Sequence, residues 1–257
     1  MSFVWLAWLG TAGAVVGGTA DDAADYPAVV LLTSDTPDAP VCSGTLVGPA
    51  WVLTAAHCAG LQQVHIGGAR APFRTTRRVA EVRLHPDYAP GVDPFDADED
   101  IALLRLDAPV RGVRPMPLIT GAVGPDWVGR SLRLVGFGAT RDRGTDDSVR
   151  RHALSTVSVV DPLNVRAYTG AANACGGDSG GAALVETGRG SVLVGVLVFA
   201  VPGCVGGSTG AARIDRHRAW IRSIVPAASP SRCGCGGPGG GAGLAFVLLA
   251  LATRRRP

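Results

Sequence analysis

Apolar stretches in this chain are short, and glycine or proline interrupts nearly all of them. With 36 glycines and 18 prolines in 257 residues, few windows reach the roughly ten to twelve residues of a stable helix. The runs at residues 28–33, 51–54, 78–84, 101–106, 131–137, 153–160, 182–186 and 192–199 are strand-length instead, with Gly, Pro and Asp between them. This pattern predicts an all-β chain and leaves barrel and sandwich both open. One helix is expected, over residues 215–224, with Asp215 as its cap and Trp220, Ile221 and Ile224 on one face.

A hydrophobic content of 47% is enough to bury a sizeable core and excludes disorder of the whole. The net charge is only +3, and the one basic cluster is Arg254-Arg255-Arg256, so no nucleic-acid partner is expected. The six cysteines, at 42, 58, 175, 204, 233 and 235, are even in number and contain no Cys-x-x-Cys pair. Disulfides therefore fit better than a zinc or thioredoxin-type site, no metal or cofactor is expected, and the compartment should be oxidising.

Both ends have a character of their own. Residues 1–14 have an apolar centre at 3–9 and end Ala12-Gly13-Ala14, the small-x-small pattern of a signal peptide; a buried first strand is the competing reading. Residues 226–232 read as a linker rich in Pro, Ala and Ser. Beyond them, residues 236–253 carry no charge and are just long enough for a membrane span, with the arginines at 254–256 as a basic stop. A weak anchor or an unstructured tail is the other reading.

Three stretches carry chemistry. Cys175-Gly176-Gly177-Asp178-Ser179-Gly180-Gly181 raises one serine on a glycine turn, where backbone N–H groups can approach a developing oxyanion. Thr54-Ala55-Ala56-His57-Cys58 puts an imidazole at the end of an apolar run, and Asp100-Ile101-Ala102-Leu103-Leu104 puts a carboxylate directly before another. A serine hydroxyl needs an imidazole to take its proton, and the imidazole needs an acceptor to fix its tautomer. Among Asp93, Asp96, Asp98, Glu99 and Asp100, only the last is carried toward the core by the strand that follows. The remaining histidines, His65, His85, His152 and His217, read as surface or satisfied core residues. Together the three motifs, in the chain order His, Asp, Ser, resemble the chymotrypsin-like (trypsin-fold) serine proteases.

The resemblance implies two packed six-stranded antiparallel β-barrels followed by a C-terminal helix, over residues 15–225, with the site in the cleft between barrels. It implies His57 as general base, Asp100 as its orienting carboxylate and Ser179 as nucleophile. Gly177 and Ser179 would supply the N–H groups of the oxyanion hole. Asp178 would pair with the amine of Val15, which opens the family-like start Val15-Val16-Gly17-Gly18. Cys42 would join Cys58, and Cys175 would join Cys204, each worth roughly 3 to 4 kcal/mol. Ala14 precedes Val15 with no Arg or Lys between, so signal peptidase itself is expected to expose the mature start.

The match places Asn173 at the base of the primary specificity pocket, with Val198, Phe199 and Ala200 along its wall and Gly210 beside it. Without an acid at Asn173, cleavage after Arg or Lys is not expected. An uncharged, small to medium P1 side chain is, and a polar P1 held by Asn173 is the alternative. Val198 stands where the family carries a serine that hydrogen-bonds the catalytic Asp. The family's further disulfide before the serine has no cysteines here, and residues 67–77 lack the acids of a calcium loop. The tail at residues 233–257, with Cys233-Gly234-Cys235, resembles the C-terminal sorting tail of myxobacterial surface proteins. The expectation is a secreted or surface-anchored serine endopeptidase of the periplasm or cell surface, monomeric and cofactor-free, acting on proteins or peptides. A catalytically inactive binding module of the same fold, or an esterase-type acyl hydrolase, is the alternative.

Overall fold

The computed structural model describes residues 15–22, 25–36, 41–69, 71–89, 99–140, 149–168, 172–201, 204 and 206–226. The expected signal peptide and sorting tail, and the linker from residue 227 onward, lie outside these residues.

A two-residue strand, β1 (Thr19–Ala20), comes first. The next six are β2 (Val29–Thr33), β3 (Cys42–Gly48), β4 (Trp51–Thr54), β5 (Gln63–Ile66), β6 (Thr75–Leu84) and β7 (Ala102–Leu106). They close an antiparallel barrel in the order β2-β3-β4-β7-β6-β5. A second set follows: β8 (Ser131–Gly136), β9 (Arg151–Val160), β10 (Asn164–Ala167), β11 (Ala182–Thr187), β12 (Gly190–Val201) and β13 (Ser208–Arg213). These run β9-β10-β13-β12-β11-β8, and the β8–β9 pairing closes the second barrel, with β1 added outside β9. Helix α1 (Ile214–Ile224) leaves β13 directly. The architecture is the two six-stranded barrels and single C-terminal helix that the resemblance implied.

β1, β3, β5, β10 and β13 lie outside the runs predicted from the apolar pattern, and two of them, β3 and β13, do so for a packing reason. β3 (Cys-Ser-Gly-Thr-Leu-Val-Gly) is buried at every position. It faces the barrel interior on one side and the second barrel on the other, so small and polar residues replace the alternation. A Cβ on Gly44 would lie 2.6 Å from Val52 Cγ1. β13 (Ser-Thr-Gly-Ala-Ala-Arg) is small for a similar reason, because the Phe199 ring lies over Gly210, where a Cβ would come within 2.1 Å of it.

The helix begins differently from expectation. Arg213 occupies the cap position and makes no side-chain cap bond. Asp215 lies in the first turn, where its carboxylate accepts the Val123 N–H (2.9 Å) and two contacts from the Arg213 guanidinium (2.8 and 3.1 Å). These anchors tie the helix start to the segment before β8. Ile214 and Ile221 enter the core shared with the first barrel, and Trp220 and Ile224 pack against it.

Both expected disulfides form, Cys42–Cys58 and Cys175–Cys204, with Cα separations of 6.1 and 4.9 Å. A fully buried ion pair adds a third tie. Arg150 Nε donates to Asp21 at 2.6 Å, and its Nη1 donates to the carbonyls of Val29 (3.1 Å) and Gly68 (2.8 Å). One guanidinium thus joins the N-terminal segment to the first barrel from a residue bordering the second.

Candidate active site

Thr54 ends β4, and the chain turns at once into a single 3-10 turn, Ala56–Cys58, that projects His57. Asp100 directly precedes β7, which pairs with β4 so that Thr54 lies opposite Ala102. That register explains why residues 43 apart meet. His57 N–H donates to Asp100 Oδ1 at 3.1 Å, and His57 Nδ1 lies 2.7 Å from Oδ2. The carboxylate is 3% exposed and the imidazole 38%. A buried acceptor on Nδ1 holds the proton there and leaves Nε2 free as a base toward the cleft. Among the described residues only His57 donates to Asp100, and Val198, at the position where the resemblance expects a serine, is buried and offers no hydroxyl. Burial first, and the Asp100 charge second, push the Tyr88 phenol up, which marks Tyr88 as a neighbour the sequence did not point to.

The serine turn is clamped onto the first barrel. Ser43 N–H donates to the Ser179 carbonyl (2.8 Å), and Ser43 Oγ donates to the Gly177 carbonyl (2.9 Å) while accepting the Phe137 N–H (2.9 Å). Cys58 Sγ sits 3.7 Å from the same Ser179 carbonyl, beside His57. Gly180, at φ 83°, passes so close to Thr54 and Ser43 that a Cβ would lie 2.0 Å from Thr54 Oγ1. On its other side the turn pairs with β12 through Gly180 N–H to Leu197 O (2.7 Å) and Leu197 N–H to Gly181 O (3.0 Å). Among the described residues neither the Gly177 nor the Ser179 N–H has an acceptor. Two unspent donors beside one hydroxyl are what a tetrahedral oxyanion requires.

Asp178 is fully buried. Its Oδ1 accepts the Gly138 N–H and its Oδ2 the Cys175 N–H, both at 2.9 Å. A Cβ at Gly136 or Gly138 would come within 2.1 or 2.5 Å of this carboxylate group, so glycine is obligatory at both. Val15 is buried in the second barrel's core with Val123, Trp127 and Leu134. Val16 pairs with Asn173 and packs on Ala139 and Cys175, so the start of the described chain lies along the serine turn.

A cavity of about 210 Å³ opens beside Ser179, walled by Ala174, the Cys175–Cys204 disulfide, Leu197, Val198, Phe199 and Ala200. The expected wall residues line it. Asn173 and Gly210 do not: Asn173 is fully buried behind Ala174, with neither amide atom bonded among the described residues, and Gly210 is spent on seating the Phe199 ring. Thr209 Oγ1 accepts the Ala174 N–H (2.8 Å) and fixes the cavity wall to β13, a contact no motif signalled. Cys42, His57 and Cys58 are close enough together to suggest a metal set, but both sulfurs are used in the disulfide.

Two six-stranded antiparallel barrels, with a serine on a glycine turn of one set against the His–Asp pair of the other, define a serine endopeptidase of chymotrypsin-like architecture. The family model described as Trypsin matches residues 15–221, and the chain belongs to that family. It is 29% identical over 242 residues to the thrombin-like enzyme elegaxobin-1 of Protobothrops elegans, covering 85% of this chain and 99% of that protein. Trypsin 5G1 of Aedes aegypti is 29% identical over 244 residues (86% and 88%), and tonin of Rattus norvegicus 27% over 213 (72% and 81%).

Proposed function

We propose that this endopeptidase cleaves exported or extracellular proteins through an acyl-enzyme on Ser179. Ser179 Oγ attacks the scissile carbonyl as His57 Nε2 takes its proton, and Asp100 stabilises the imidazolium. The N–H groups of Gly177 and Ser179 hold the oxyanion. The intermediate collapses, His57 protonates the leaving amine, and water repeats the sequence to free the acid. The observation that carries this reading is the His57–Asp100 contact at 2.7 Å beside a serine turn whose two key amides are unspent.

The apolar walls around Ala200 and the absence of a charged group among the described residues lining the cavity favour an uncharged, small to medium P1 residue. Release of the chain at Val15 by signal peptidase, followed by pairing of its amine with Asp178, is part of the same proposal. Val15 has φ 46°, a conformation a β-branched residue rarely adopts. Cleavage before it removes the preceding carbonyl, and that conflict with it. Among the described residues no helix is long and apolar enough to cross a membrane, so surface attachment rests on the tail at residues 233–257.

A fluorophosphonate probe tests the chemistry: it should label the wild-type protein and not the Ser179→Ala variant. No labelling, or labelling that survives the substitution, overturns the proposal. N-terminal sequencing of the exported protein should begin at Val15; any other start removes the activation step while leaving the triad untouched. A peptide-library profile dominated by Arg or Lys at P1 would contradict the pocket assignment.

A further inference from the structure

One residue before Asp100, a second cluster of ionisable groups has formed that the proteolytic chemistry does not use. His85 follows β6, Glu99 precedes β7 and His217 lies on α1, so three separate elements bring these side chains together. A ligand atom from each lies within 4.8 Å of the other two, and His217 Nε2 is 3.0 Å from Glu99 Oε2. All three are largely sequestered, with side-chain exposures of 11%, 13% and 3% for His85, Glu99 and His217.

We propose that His85, Glu99 and His217 bind a divalent transition metal of the zinc class, joining the segment that carries Asp100 to the C-terminal helix. Zinc bonds to imidazole nitrogen and carboxylate oxygen of about 2.0–2.2 Å place tetrahedral ligand atoms about 3.3–3.6 Å apart. The cluster needs only small side-chain rotations to reach that spacing. Two imidazoles and one carboxylate suit zinc and its neighbours, and not calcium or magnesium, which take all-oxygen shells. Three protein ligands leave the fourth position to water.

Three further observations point to a cation. Glu99 Oε2 is buried and makes no hydrogen bond among the described residues, because its 3.0 Å contact with His217 is not aligned as one. Glu99 is also one of only two non-glycine residues at positive φ among those described, at 61°, so its backbone is held in a costly conformation that keeps this carboxylate against the helix. The His85 ring is fixed edge-on to Trp220 (4.9 Å) and to His217 (5.1 Å), and its Nδ1 accepts the Asp87 N–H at 3.3 Å, so the ring is held in place from three sides. Arg216 approaches only the other oxygen of Glu99, at 3.8 Å. A plain Glu99–His217 ion pair is the alternative, and it makes no use of His85.

The test does not depend on Ser179 chemistry. The full chain carrying Ser179→Ala, with Cys233→Ser and Cys235→Ser to remove competing thiols, is stripped of metal and titrated with zinc chloride in a calorimeter. One equivalent should bind, and thermal denaturation should move to higher temperature with zinc. Adding His85→Gln, a change at the rim of the cluster, should weaken binding by at least about tenfold and cancel the thermal shift. Glu99→Gln should do the same, and His57→Gln should leave both intact. No binding up to millimolar zinc overturns the proposal, as does binding that His57→Gln removes and His85→Gln leaves unchanged.

Discussion

Single residues set the site through atoms they lack as much as through those they carry. Gly138 donates its N–H to Asp178 and has no room for a side chain, since a Cβ would lie 2.5 Å from the carboxyl carbon. Gly138→Ala should therefore displace the turn and lower kcat by about 10²–10³-fold, the usual loss when an oxyanion donor is misplaced. Single-turnover acylation measures this, and a normal acylation rate would refute it. Ser43 spends one hydroxyl on two backbone groups. Ser43→Ala should cost about 1–3 kcal/mol in denaturant unfolding, because the buried Phe137 N–H loses its acceptor. His57, Asp100 and Ser179 stood out in the sequence because each sits in its own local motif. Ser43, Gly136 and Gly138 did not, since their neighbours arrive from the opposite barrel or from 40 residues away. Asn173 and Gly210 follow from the spacing of the family match, which gives a position along the chain but not the direction of a side chain; neither is among the described residues that wall the cavity.

Elements were legible in the sequence where burial is met by large apolar side chains. The runs behind β2, β4, β7, β8 and β12 are apolar enough to announce themselves, whereas β3 and β13 are buried by contacts that demand small residues. At α1 the acid near the start was visible, and its use was not: Asp215 anchors β8's approach through Val123 and pairs with Arg213. Burial raises the Asp215 pKa, but the hydrogen bonds from Arg213 and Val123 outweigh it and leave the group below its ordinary value. A carboxylate depressed in the folded state contributes stability that is present above its unfolded pKa and lost as pH falls through the folded one. Asp215→Ala should thus lower stability near neutral pH by about 1.5–3 kcal/mol, and the gap to wild type should close as the pH drops below the carboxylate range. Urea unfolding across pH 2.5–7 reads this directly; a constant gap would show the carboxylate charge to be irrelevant.

Across the whole molecule, the barrels are joined by buried polar contacts as well as by the shared core. The Asp21–Arg150 pair is fully excluded from water, and losing either partner strands the other's charge. Asp21→Ala should destabilise by about 3–5 kcal/mol, and a double change of Asp21→Leu with Arg150→Met should recover much of it, because a buried ion pair is seldom better than a well-packed apolar one. Chemical denaturation of the three variants decides this, and a double variant no more stable than the single would contradict it. An arginine directly before a strand gives no hint of burial in the sequence, so this tie was invisible there, while the barrel count followed only from the resemblance and not from the strand pattern. The grip of Ser43 on the Gly177 carbonyl carries a consequence for the separate halves. A first barrel folded alone has the base but no nucleophile, and a second barrel folded alone has the nucleophile on an unsupported turn. A state in which only one half has condensed is therefore inert, and proteolytic power requires both halves to be docked.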